Sequence, residues 1–157
     1  PHLVARHQEG AERTASPAIP LEDLEPLYTR ARDEGLVVAR VHTGDPSIYG
    51  ATAEQRDLCR RIGIDFETIP GISAFSAAAA RMDVEITVPE VSQSLILSRL
   101  QGGRTPMPDG ETVASFARHG ATMAIYLSAA RNKALQEALL EGGYLPETPW
   151  IIGYAVT

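Results

Sequence analysis

The chain has 157 residues, 44% of them hydrophobic and 22% charged, enough for one ordinary globular domain or two small lobes. A net charge of -6 disfavours nonspecific binding to a nucleic-acid backbone. A single cysteine, Cys59, excludes an intrachain disulfide and fits a reducing compartment, and no apolar run approaches membrane-spanning length.

No signal peptide is visible. The chain opens on Pro1 without an initiator methionine and stops at Ala155-Val156-Thr157 inside an apolar run, so it is expected to be an internal fragment of a longer polypeptide. Pro1 to Pro20 is polar and weakly patterned and reads as loop. Leu21 to Gly35 has leucines at helical spacing with Gly35 as its stop, and the helix starts or turns near Pro26. Leu36 to Val41 is a short β-branched run and reads as a buried strand. Ala51 to Gly63 is a helix with a second glycine stop. Ile64 to Ile69 alternates like a strand. Pro70-Gly71 breaks it, and Ser73 to Met82 is a small-residue helix with Ser73 available as its cap.

A second block follows a Val-Pro-Glu-Val linker near Pro89 to Ser92. Ser92 to Leu100 reads as a strand, and Gln101 to Gly110 as a loop dense in glycine and proline. Glu111 to Gly120 holds a short helix, Ala121 to Ala129 a strand, Ala130 to Gly143 an amphipathic helix, and Thr148 to Thr157 a last strand. Strand and helix alternate throughout, so the fold class is α/β with a largely parallel sheet. The expected lobes are residues 1–90 and 91–157.

Two stretches carry candidate chemistry. In VHTGDPSIYG, Val41 to Gly50, a strand runs into Gly-Asp-Pro and then a helix. Ligands of open α/β sheets bind beyond the carboxyl ends of strands. Gly44 permits close backbone approach, and Asp45, placed before Pro46, can cap the next helix or accept from ligand hydroxyls or amines. A phosphate cradle would want a glycine-rich nest and often a lysine. The only fixed side-chain charge here is negative, which favours a ligand with positive charge or hydroxyls. On pattern alone the ordinary reading, a turn and a helix cap, takes precedence, because Gly, Asp and Pro are common turn residues. In IPGISAFSAAAA the order repeats as strand, break and helix. Ser73 and Ala74 present backbone N–H groups and little bulk; taken alone, the stretch reads first as an ordinary close-packed helix.

Taken together, HTGDPSIYG, PGISAFSAAAA, EITVPEVSQSLILSRLQGGRTPMP and YLSAARN resemble the tetrapyrrole methyltransferases that use S-adenosylmethionine. The resemblance covers almost the whole chain and is most specific at GDPSIYG, PGIS and the strand followed by GGRTPMP. Within the family it is nearest to the branch that methylates carbon 11 of precorrin-4 in cobalamin biosynthesis, with or without cobalt in the ring. The resemblance implies two α/β lobes with the donor in a cleft between them, a homodimer and a cytoplasmic location. It implies donor contacts from Thr43, Gly44, Asp45 and Ile48, from Ser73 and Ala74, from Leu127 and from Val156. The chain lacks the Gly-x-Gly-Pro-Gly type loop with which the family begins, and it stops short of the last strands of the second lobe.

The implied reaction moves a methyl group from sulfonium to an electron-rich ring carbon, leaving S-adenosylhomocysteine. The donor carries its own leaving group, so no metal is expected. His2, His7, His42 and His119 form no ligand spacing with Cys59. No catalytic residue is assigned, and Asp45 is given to binding. The acceptor is a tetrapyrrole with several carboxylates, which arginine pairs with bidentately. Arg99 and Arg104 are therefore its candidate contacts, against the plainer reading of solvated charges. Neither a nucleic-acid nor a membrane partner is expected. The rivals are a methyltransferase for another precorrin, ribosomal RNA or protein, and a nucleotide-binding module without chemistry.

Overall fold

The computed structural model describes residues 10–12, 21–102 and 105–154. They fall into two compact units, Pro1–His42 with Pro46–Pro70, and Thr43–Asp45 with Gly71–Thr157. Most of the expected Pro1 to Pro20 loop lies outside the described residues. Among the described residues, no helix is long and apolar enough to cross a membrane.

In the first unit a 3-10 turn, Leu21–Leu24, leads into helix α1, Glu25–Asp33. Pro26 stands in its first turn, where its missing N–H costs nothing. Past the helix, Gly35 turns at φ +66° and the Leu36 N–H returns to the Ala31 carbonyl at 2.8 Å. Helix α2, Thr52–Ile62, ends the same way: Gly63 takes φ 76° and the Ile64 N–H reaches the Cys59 carbonyl at 2.9 Å. The apolar stripes of both helices meet in a core of Leu24, Tyr28, Leu58 and Cys59, with Leu27, Ile62, Ile64 and Phe66 around it. The Arg32 guanidinium donates to the Ile62 carbonyl at 2.8 Å, and Arg61 pairs with Glu25 at 2.5 Å. Both contacts lie at the exposed rim.

The second unit holds helix α3, Ala74–Met82, and two strands, β1, Leu95–Arg99, and β2, Thr122–Tyr126. The strands pair in parallel, from Leu95 against Thr122 to Arg99 against Tyr126. A parallel pair needs a crossover, and helix α4, Val113–Ala117, lies within it. Thr112 caps α4 by accepting from the Ser115 N–H at 3.1 Å. Helix α5, Asn132–Glu141, follows β2. Leu100, Val113, Leu135 and Ala138 form the core of this unit, with Met123 and Ile125 supplied by β2. Buried Ser128 joins the strand ends: its hydroxyl donates to the Tyr126 carbonyl at 2.7 Å and accepts from the Leu100 N–H at 3.0 Å.

The class is α/β with parallel pairing, as expected, but among the described residues three expected strands do not form. Leu36 to Val41, Ile64 to Ile69 and the described part of Thr148 to Thr157 carry no strand. A strand exists only where a neighbour satisfies its backbone groups, and among the described residues only β1 and β2 form a ladder. The missing burial agrees: Val37 is 98% exposed and Ile69 76%. The Val-Pro-Glu-Val stretch is a tight reversal. Val88 and Ser92 bridge across it and Glu90 sits at φ 64°.

Candidate functional site

The two stretches singled out in the sequence come together in the second unit. The Asp45 carboxylate accepts a hydrogen bond from the Gly71 N–H at 3.1 Å. Gly44 takes φ +76°, a conformation that side chains resist. Its carbonyl lies so close to Gly71 that a Cβ there would overlap it. On its other side Gly44 approaches the Ile72 carbonyl and the Ala74 N–H, each 3.6 Å from where its own Cβ would stand. Glycine at both positions thus lets two backbone turns touch. The contact brings Thr43, Gly44 and Asp45 to Gly71, Ile72 and the first residue of α3.

Ser73 stands at the N-cap of α3 in extended geometry, but its side chain makes no capping hydrogen bond. The Phe75 N–H donates instead to the Tyr126 phenol oxygen at 3.3 Å. This contact brings the end of β2 to the start of α3. Leu127 follows Tyr126 at φ 54° and is 79% exposed. A non-glycine residue held in this region is strained, and such strain gathers at ligand sites. Tyr126 was given no role in the sequence, although it opens the YLSAARN stretch and stands before Leu127 at a strand end.

Arg99, at the end of β1, donates through one guanidinium nitrogen to the carbonyls of Thr105 at 2.7 Å and Pro106 at 3.2 Å. Arg131 donates to the Gln101 carbonyl at 2.7 Å. Two arginines therefore fix the loop that follows β1. Arg104, in the same loop, and Val156 lie outside the described residues.

Ile48 belongs to the first unit, half-buried in the turn Pro46 to Gly50. That turn is tight. Tyr49 and Ala51 take φ 57° and 51°, and a Cβ on Gly50 would overlap the Pro46 carbonyl. Gln55, 2% exposed, holds it by donating to the carbonyls of Gly50 at 2.8 Å and Ala51 at 3.0 Å.

Comparison with known proteins matches residues 2–157 to the family described as Tetrapyrrole (Corrin/Porphyrin) Methylases. The chain is 44% identical over 152 residues to a cobalt-precorrin-4 C(11)-methyltransferase of Methanocaldococcus jannaschii, covering 97% of this chain and 58% of that protein. It is 43% identical over 147 residues to a precorrin-4 C(11)-methyltransferase of Mycobacterium tuberculosis, covering 94% and 59%. Its fold superposes on the X-ray structure of a cobalamin biosynthetic enzyme, cobalt precorrin-4 methyltransferase, with a TM-score of 0.82 and 38% identity over 91% of this chain and 59% of that one. The chain thus spans under two thirds of the length of these relatives.

Proposed function

The chain belongs to the tetrapyrrole (corrin/porphyrin) methylases, and from that premise we propose that its activity is methyl transfer from S-adenosylmethionine to carbon 11 of a precorrin-4 ring in cobalamin biosynthesis. The contact of Gly44 and Asp45 with Gly71 carries the reading. It sets an acidic side chain beside small residues and turned backbone. That suits a ligand bearing a sulfonium, an ammonium and a ribose.

The proposed donor residues are Thr43, Gly44, Asp45, Ser73, Ala74 and Leu127. Ile48 and Val156 join them on the resemblance alone. When bound, the donor supplies an activated methyl group and takes the electron pair of the broken carbon–sulfur bond onto sulfur. The ring carbon's own electron pair forms the new bond, the positive charge passes from sulfur to the ring, and the ring sheds it by releasing a proton to solvent; no residue is assigned to that proton. Their work is to hold acceptor carbon and methyl in line, which can contribute roughly 7–11 kcal/mol. Arg99 and Arg104 are proposed for the carboxylates of the acceptor, Arg99 through the loop that it fixes. The names of the relatives include both cobalt-bearing and cobalt-free acceptors. Division into lobes 1–90 and 91–157, a homodimer and a cytoplasmic location complete the proposal.

Calorimetry with S-adenosylhomocysteine tests it. Binding is expected and should be lost in Asp45→Ala and in Ser73→Tyr. Unchanged binding in both variants defeats the site. Incubation with labelled donor and precorrin-4, followed by NMR of the product, then locates the methyl.

A further inference from the structure

The first N–H groups of a helix have no partner in their own turn, and a serine at the N-cap ordinarily accepts one of them. Ser73 has the backbone for that task, φ -61° and ψ 143°, yet its side chain does not perform it. The Phe75 N–H goes to Tyr126, 51 positions along the chain. The capping of α3 has been taken over by the end of β2. Behind it, Ser128 grips the Tyr126 carbonyl and the Leu100 N–H, so the strained Leu127 peptide is fixed in place.

We infer that Tyr126 is a positioning residue, which by capping α3 from β2 releases the Ser73 hydroxyl for the methyl donor and holds Leu127 beside it. A capping hydroxyl is fixed over the first turn of its own helix. A released one can turn to a hydroxyl or amine of a ligand. The same hydrogen bond joins the elements that carry Ala74 and Leu127. This inference rests on the donor site proposed above.

A double-mutant cycle tests it. Thermal unfolding is compared among the wild type, Ser73→Ala, Tyr126→Phe and the double variant. With Tyr126 present, Ser73→Ala should leave the midpoint within about 1 °C, because that hydroxyl caps nothing. In the Tyr126→Phe background Ser73 swings back to cap α3, and its removal should then lower the midpoint by about 2–4 °C, the worth of one N-cap. Equal shifts in both backgrounds overturn the exchange of caps, and a Tyr126 that only fills space predicts that equality.

Calorimetry with S-adenosylhomocysteine gives the second readout. Tyr126→Phe should weaken binding about 3–10-fold, and adding Ser73→Ala to it should change little more. If Tyr126→Phe binds as the wild type does, the positioning role falls and the donor site stands. If the wild type itself fails to bind, the donor site falls and takes the ligand role of Ser73 with it.

Discussion

The Gly71 N–H donates to the carboxylate of Asp45, 26 positions earlier in the chain, at 3.1 Å. Asparagine at position 45 keeps an acceptor for that N–H and removes the charge. Unit charges about 4 Å apart attract by about 1 kcal/mol in water and about 4 kcal/mol at an effective dielectric of 20. Asp45→Asn is therefore expected to weaken S-adenosylmethionine about 5-fold or more, and to weaken S-adenosylhomocysteine, whose sulfur is neutral, by less. Calorimetry with both ligands checks this. Equal losses would confine the carboxylate to holding the turn.

A methyl group on Gly71 would overlap the Gly44 carbonyl and stand 3.4 Å from the Asp45 Cα. Both obstacles are backbone, so the turns must part. Gly71→Ala should cost about 1–3 kcal/mol in urea unfolding, as overpacking does, and should lower affinity for S-adenosylhomocysteine by more than about tenfold. Gly63→Ala is the matched control. That glycine also has positive φ, +76°, but nothing lies within 4 Å of its Cβ position. It should lose about 1–2 kcal/mol of stability and no affinity. Similar affinity losses in both would show that general destabilisation explains the first.

How far the site could be read in advance depends on which interactions are local. Gly35, Gly63 and Pro26 act within one turn, and the helices around them follow from spacing. The β1–β2 pair was legible because each run is bounded by turn residues and packed by its own flanking helices. Leu36 to Val41 and Ile64 to Ile69 are also patterned like strands, but a strand is a relation to a neighbour, and no neighbour pairs with them among the described residues. The Asp45–Gly71 bond brings the two motifs together across 26 positions, a contact that neither motif shows by itself. The substitution of Tyr126 for Ser73 as the cap of α3 had no local trace, since it links residues 51 apart.

Arg99 was expected at the acceptor, and its guanidinium is found on the Thr105 and Pro106 carbonyls. A lysine keeps the charge but lacks the planar fork that places donors at fixed angles. Arg99→Lys should loosen the loop between Gln101 and Gly110. Limited proteolysis there should quicken about 5-fold, the worth of roughly one hydrogen bond. With methyl transfer as readout, KM for the tetrapyrrole should rise while affinity for S-adenosylhomocysteine stays within about twofold. A loss on the donor side alone would move Arg99 out of the acceptor site.

Cys59 is 5% exposed in the core of the first unit, and burial pushes its thiol above the ordinary value of 9.0. A thiolate loses hydration there, so the folded chain holds this proton more tightly than the unfolded one. The stabilisation is fully present below pH 9.0 and is lost as pH rises through the elevated folded value. Tyr144, in the second unit, is raised by burial from 10.0 and acts in the same direction at higher pH. The urea midpoint should therefore stay level from neutral pH toward 9 and then decline. Cys59→Ala, which removes the titrating group and little volume, should delay that decline to the range where Tyr144 takes over. Urea titrations at stepped pH on both proteins check the sign. A wild-type midpoint that stays level well above pH 9.0, or a Cys59→Ala curve that falls at the same pH as the wild type, would remove the thiol as the cause.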